Sequence, residues 1–432
     1  MTTPGTNQAN LTVRRPEIST RRLGAEAAAN VVRIDRDPLS GNIVYMNRAG
    51  KFWRVDPTTG TSTATETSYT FTGDHRSMAF GPDGALYTIA VPAGTIRAGT
   101  LIIATIRKGS PGATRTWTTM ATTAGYPAGG TNFDHSYGGA IVSPDNQFLY
   151  FGSGSRSDHG EVEQGVREVP LTSAVFRLPI TANNLMLAND ETALAPYLFV
   201  DGTRNTFDFA WSADGELFGG DNGPDMDLPD EMNVLRQGNH YGFPWRMGGE
   251  ANPVLDPAYT PVGDTRLHTG FQGVDQNKYV YDPAFPAPPA GMTFVDPIPN
   301  HGPDADKFRA GSMGAIQKAS TLGMTMPGIT GHRSPLGILF DARGALCGDY
   351  YKAGFFVSFG ALIDVMQDGG QDLSLMKLTK VGANYEMSVT QLVAGFLSPI
   401  DSVMVNNKIY IVEFSTTSGG GSVYEITLPL PQ

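Results

Sequence analysis

A chain of 432 residues with a net charge of −11 presents a surface that repels phosphate backbones and anionic lipid, which argues against nucleic acid as a partner. No apolar run approaches the length that spans a bilayer, and the lone Cys347 rules out an internal disulfide. The 52 Gly and 30 Pro, with only 17% charged residues, are the composition of many short strands joined by turns, and 40% apolar residues suffice for a large core.

The N-terminal stretch MTTPGTNQANLTVRRPE has no apolar signal core. The run 11–18 is expected to pair into the last repeat and close a ring. From there one phrase recurs six times: an apolar strand, a polar turn and a second apolar strand. It occupies 28–45, 74–90, 134–151, 202–219, 331–348 and 397–414. Pro82-Asp83-Gly84, Pro144-Asp145-Asn146 and Ala213-Asp214-Gly215 supply the positive φ that tight hairpins need. The flanks are near-continuous apolar runs, as in strands covered on both faces. Further strand-like runs follow at 51–55, 100–106, 174–178 and 423–426. Four strands per repeat, six times, predict an all-β, six-bladed β-propeller. A sandwich or solenoid fits less well, because neither repeats one hairpin at this spacing. Residues 245–325, rich in Pro, Gly, Asp and Met, fit no blade and read as a long insertion on one face.

In a propeller the first strand of each blade lines the central channel, so residues just before it converge at the channel mouth. Here they are polar: Asp74, His75 and Arg76; Asp134 and His135; Arg204 and Asn205; His332, Arg333 and Ser334; Ser398 and Asp401. Three of the seven histidines fall at this position. One such residue alone is as readily a strand-end cap. Together, imidazoles, guanidiniums and carboxylates at one mouth supply acid–base and oxyanion chemistry. His75, His159, His240, His268 and His301 are weaker candidates, with surface loops the expected home of His159 and His268.

The stretch DNGPDMDLPDEMN, 221–233, holds five carboxylates and two amides in thirteen residues and cannot be helical. Such oxygens suit a hard cation such as Ca²⁺, and a solvated acidic loop is the equal alternative. Asp225, Asp230 and Glu231 are the candidate carboxylates.

The following residues add a resemblance. Arg204-Asn205, Gly223-Pro224, Asp230-Glu231-Met232-Asn233 and Gly238-Asn239-His240-Tyr241-Gly242-Phe243-Pro244 stand in the order seen in the soluble sugar dehydrogenases that use pyrroloquinoline quinone (PQQ), the glucose/sorbosone dehydrogenase family. Phe243 replaces that family's usual Trp. His332-Arg333-Ser334-Pro335-Leu336-Gly337 resembles the family's His-x-Ala-Pro-Leu-Gly strand, and His135 before Gly138-Gly139 resembles its catalytic histidine. The resemblance implies a six-bladed propeller with Ca²⁺ held partly by the carbonyls of Gly223 and Pro224. It implies His135 as base toward a sugar C1 hydroxyl, with Arg204 steadying developing negative charge. Asn205 and His332 complete the catalytic candidates, while Arg333, Tyr241, His75 and Arg76 are candidates for holding the cofactor. The resemblance also implies a periplasmic or secreted protein acting on a sugar or glycan.

Two segments depart from the pattern. Ser398 stands where the family has a basic residue before Pro399-Ile400-Asp401, and 355–362 (FFVSFGAL) is apolar where the family is polar and basic. PQQ carries three carboxylates and needs cationic anchors. Three readings therefore stand side by side: a PQQ-dependent aldose dehydrogenase, a PQQ-independent lyase or lactone hydrolase built on the same His, Arg and metal site, and a binding-only propeller.

Overall fold

The structure, a computed structural model, describes residues 11–92, 98–131 and 135–431. It is all-β and propeller-like, with two four-residue α-helices among the described residues. The first sheet runs Val31–Arg36, Ile43–Asn47, Phe52–Val55 and Ser62–Thr65. The second runs Asp74–Phe80, Leu86–Val91, Thr105–Ser110 and Thr116–Thr123, with Leu185–Leu187 added in parallel at its edge. The third runs Tyr137–Val142, Phe148–Ser153, Ala174–Pro179 and Leu198–Asp201.

The fourth sheet has three strands only: Thr206–Trp211, Leu217–Asp221 and Glu231–Leu235. The fifth runs Pro335–Phe340, Gly354–Ser358, Asp372–Val381 and Asn384–Ala394, extended by Pro299–Pro303 and Met326–Pro327. The sixth runs Pro399–Val405, Lys408–Glu413, Ser422–Thr427 and, from the other end of the chain, Ser19–Ala25. The first strands of the six sheets are neighbours in this order, and the sixth meets the first.

The turn residues do what their types require. Gly84 and Asn146 sit at φ +79° and +56°, as tight hairpins demand. Apolar side chains fill the wedges between adjacent sheets. One cluster joins sheets two and three around Tyr87, Phe151 and Phe176, and another joins sheets four and five around Phe218, Phe340 and Phe356. A smaller cluster of Met226, Leu228, Phe243, Met247, Val254 and Tyr279 anchors the inserted segment.

Four expectations need correction. Five sheets have four or more strands, but the fourth has three, so the blades are not alike. The ring-closing strand is Ser19–Ala25, paired with Ser422–Thr427, and not 11–18. Within 11–18 only Thr12–Val13 is a strand, and it pairs with Val393 and Ala394 of the fifth sheet. Pro16 lacks the N–H that a longer ladder needs. In the fifth repeat, 345–348 holds no second strand. The buried Asp341 carboxylate accepts the backbone N–H groups of Ala345, Leu346 and Lys352, tying that stretch into a loop and delaying the strand to Gly354–Ser358. Finally, Pro299–Pro303 of the insertion belongs to a sheet, pairing in parallel with Asn384–Ala394.

The channel axis is filled rather than open. Arg33 is 2% exposed, and its guanidinium donates to the carbonyls of Arg76 (2.8 Å) and Phe207 (2.7 Å). Its Nη1 lies 3.7 Å from Asp208 and 4.0 Å from Asp401. The same guanidinium stacks 4.0 Å over the Phe207 ring, which forms part of the wall of the cavity above.

Candidate functional site

A cavity of about 390 Å³ opens at the channel mouth, above Arg33 and Phe207. The starts of sheets two to five and the insertion converge on it. Arg76, His135, Arg204, Asn205 and His332 all line it, together with Gly223, Pro224, Asp225 and Asp230. Every catalytic candidate read from the sequence is therefore in one place, and four of the five metal candidates join them.

Arg204 is the most constrained of these groups. Its Nε donates to the Asp158 carbonyl (2.7 Å), its Nη2 to Asp158 Oδ1 (2.9 Å) and its Nη1 to the Asn222 carbonyl (3.0 Å). The backbone is fixed as well, because the Asp221 carboxylate accepts the N–H groups of both Arg204 and Asn205. Asp158 also receives Tyr279 O–H and Asp225 N–H and contacts His159 Nδ1 (3.1 Å). Burial pushes the Asp158 carboxyl up, but the His159 hydrogen bond and the Arg204 charge outweigh it and hold the group below the usual range.

His135 and Asn205 stand against one another because residue 154 is glycine. A Cβ there would lie 2.4 Å from His135 Cβ and 2.7 Å from Asn205 Oδ1. Asp134 lies outside the described residues.

His332 projects into the cavity from a backbone at φ +65°, and Ser334 follows at φ +53°. Its Nε2 is 2.9 Å from Asp227 Oδ1, and its ring stacks on Phe271 of the insertion, 4.7 Å between centroids and 13° between planes. Asp227 also binds His268 (2.8 Å) and accepts from Arg309 Nε (2.8 Å). Burial raises its carboxyl, but these three partners outweigh burial and hold it low.

The acidic residues of 221–233 face different ways. Asp230 turns one oxygen to Gly223 N–H and the other to Ser334 N–H (2.7 Å each), and burial raises its carboxyl. Asp225 accepts Gly273 N–H (3.0 Å), and burial with the nearby Asp158 charge raises it to about 6. Glu231 does not line the cavity. It accepts Gly248 N–H and Asn233 Nδ2, and burial followed by the Asp221 charge raises it to about 8. Among the described residues no group of three or more His, Cys, Asp or Glu is placed to hold a metal. The carboxylates of Asp225, Asp230 and Glu231 each accept at least one backbone N–H.

Three cofactor candidates lie elsewhere. Arg333, 2% exposed, points away from the cavity and binds Asp368 and Asp372. The positive φ of its two neighbours turns them inward and Arg333 outward. Tyr241 is a core residue whose hydroxyl donates to the Val234 carbonyl (2.5 Å). His75 lies within a strand, not before one, and is fully buried, 2.8 Å from Tyr69 Oη and 3.2 Å from the Arg48 carbonyl. Arg76 does reach the wall, clamped to Asp74 by Nε (3.0 Å) and Nη2 (2.7 Å). Lys352 sits at the periphery, 3.8 Å from Asp214. His159 is not at the surface, being 1% exposed and stacked on Tyr279, while His268 lies in a loop, half-buried and held by Asp227.

Sequence reasoning missed Asp158, Asp227 and Phe271. Asp227 was within the acidic stretch but carried no spacing that singled it out. Asp158 and Phe271 lie in segments without a repeat.

The glucose/sorbosone dehydrogenase family matches residues 113–305. No curated protein matches the chain. Among solved structures, a glucose dehydrogenase-type oxidoreductase from Thermus thermophilus is 16% identical at a TM-score of 0.57, covering 95% of this chain and 99% of that one. The PQQ-bound aldose sugar dehydrogenase of Streptomyces coelicolor is 15% identical at 0.53, covering 98% and 99%. The PQQ domain of pyranose dehydrogenase from Coprinopsis cinerea is 11% identical at 0.58, covering 97% of each. These likenesses carry the fold. The resemblance read from 204–244 lies inside this longer family match, and the solved structures share the chain's β-propeller fold.

Proposed function

We propose that this protein is a sugar oxidoreductase that oxidises an aldose at C1, using PQQ and Ca²⁺ at the channel-mouth cavity. The three-stranded sheet is counted as a blade, which makes the propeller six-bladed. The observation that carries the reading is the meeting of His135, Arg204 and Asn205 in one cavity with Asn222, Gly223 and Pro224.

The donor set fits the cofactor. Asn222 Oδ1 and Ser136 Oγ are buried at the wall without hydrogen-bond partners. An amide oxygen beside two main-chain carbonyls suits a hard cation. Arg204 and Arg76 supply positive charge, and Phe207 supplies a flat apolar surface. When bound, the quinone would supply a two-electron acceptor for the C1 hydride. His135 takes the proton from the C1 hydroxyl oxygen, so an aldose leaves as its lactone. Arg204, locked by Asp158, offers its fixed donors to the oxygen on which negative charge grows. Asn205 and His332 orient the sugar hydroxyls.

The test is a titration of metal-free protein with PQQ, with and without Ca²⁺, followed by absorbance and thermal shift, then an aldose panel with a dye acceptor. Ca²⁺-dependent PQQ binding with dye reduction is expected. Absence of PQQ binding at micromolar concentrations with Ca²⁺ present would overturn the cofactor assignment.

A further inference from the structure

The cavity lining is of two kinds: Arg204, Asn205 and Asp225 are polar, and Leu336, Phe359, Leu362 and Phe271 are apolar. Two of these four, Phe359 and Leu362, come from the segment 355–362 (FFVSFGAL). Leu362 is 91% exposed, and the next residue, Ile363, packs against the insertion: a Cβ at Gly270 would lie 2.9 Å from Ile363 Cδ1. Phe359 also packs against Phe414, 6.3 Å between ring centroids. A single exposed leucine needs no explanation, but one continuous with an apolar cavity wall does.

A small, fully hydroxylated sugar would satisfy the polar groups and leave Phe359 and Leu362 uncovered. We infer that the preferred substrate is an aldose bearing an apolar arm, its ring on the Arg204–Asn205 side and its arm along Phe359 and Leu362. The arm is an acyl or alkyl group on an oxygen other than that of C1, since the C1 hydroxyl must be free to lose its proton. This rests on the sugar dehydrogenase reading and adds the substrate class to it.

The experiment compares glucose with 6-O-hexanoylglucose. Steady-state kcat/KM is measured on protein loaded with PQQ and Ca²⁺ with a dye acceptor. Calorimetric binding of each sugar is measured separately, without dye. Burial of several methylenes predicts a preference of at least about tenfold for the acyl sugar in both measurements. Leu362→Asp is expected to bring the ratio of the two kcat/KM values close to one. Equal kcat/KM values in the wild type, or an unchanged ratio in Leu362→Asp, would overturn the inference and leave the dehydrogenase reading intact. If neither sugar is oxidised, the dehydrogenase reading falls. Calorimetry then decides the apolar arm alone: tighter binding of the acyl sugar upholds it, and equal binding sinks it.

Discussion

Arg204 and Asp158 are joined twice, Nε to the main-chain carbonyl at 2.7 Å and Nη2 to the carboxylate at 2.9 Å, with both residues almost fully buried. Neither charge has water to fall back on. Asp158→Ala should cost about 3–5 kcal/mol of stability, because it strands a buried guanidinium. Asp158→Asn, which keeps the shape, should cost less and still lower turnover by loosening Arg204. Chemical denaturation beside turnover of the PQQ-loaded protein checks both. Wild-type stability in Asp158→Ala would mean that the pair contributes nothing to the fold.

His135→Ala should reduce turnover by at least about 10²-fold, the usual worth of a positioned base, with the melting temperature nearly unchanged. Near-wild-type turnover would remove His135 from the proposed chemistry.

Asp230 links Gly223 to Ser334 through its two oxygens. Asp230→Asn replaces one acceptor with a donor facing a backbone N–H. A loss of about 1–3 kcal/mol is expected, together with a weaker thermal response to Ca²⁺. A full Ca²⁺ response in a destabilised variant would separate this residue from any cation site.

The pH dependence of stability follows from buried acids. Burial, then the charge of Glu413, raises Glu26 to about 9, and burial raises Glu413 to about 7. Neither Glu26 oxygen has a hydrogen-bond partner. Both pKa values exceed the unfolded value, so the folded state holds more protons in between, and stability falls as pH rises from about 5 to 9. Glu26→Gln should remove part of that slope and gain on the order of 2 kcal/mol at the alkaline end. Melting temperatures from pH 5.5 to 8.5 measure it. A wild type that becomes more stable toward pH 8.5 would contradict the assignment.

The hairpins were legible because strand period and turn chemistry are local properties. The Pro-Asp-Gly turn at 82–84 announces its own conformation, and its flanks are apolar on both faces of the sheet. Convergence of His135, Arg204 and His332 was legible because the propeller brings equivalent positions together. The direction of a side chain was not. His332, Arg333 and Ser334 are adjacent in sequence, yet two left-handed backbone conformations send Arg333 to Asp372 while its neighbours face the cavity. His75 looked like a residue before a strand because the strand begins at Asp74, earlier than its apolar core suggests. The partners of Asp227 come from 41, 82 and 105 residues away, and no local pattern encodes such separations.

The pairing of Ser19–Ala25 with Ser422–Thr427 sets the order of events during synthesis. A ribosome delivers the first of these strands some four hundred residues before its partner. Through most of translation, the last place in the ring is held by a strand with open hydrogen-bonding edges, a template for the wrong neighbour. Closure is a single late, long-range step, slow by topology, and a protein arrested before it presents two free sheet edges instead of a circle.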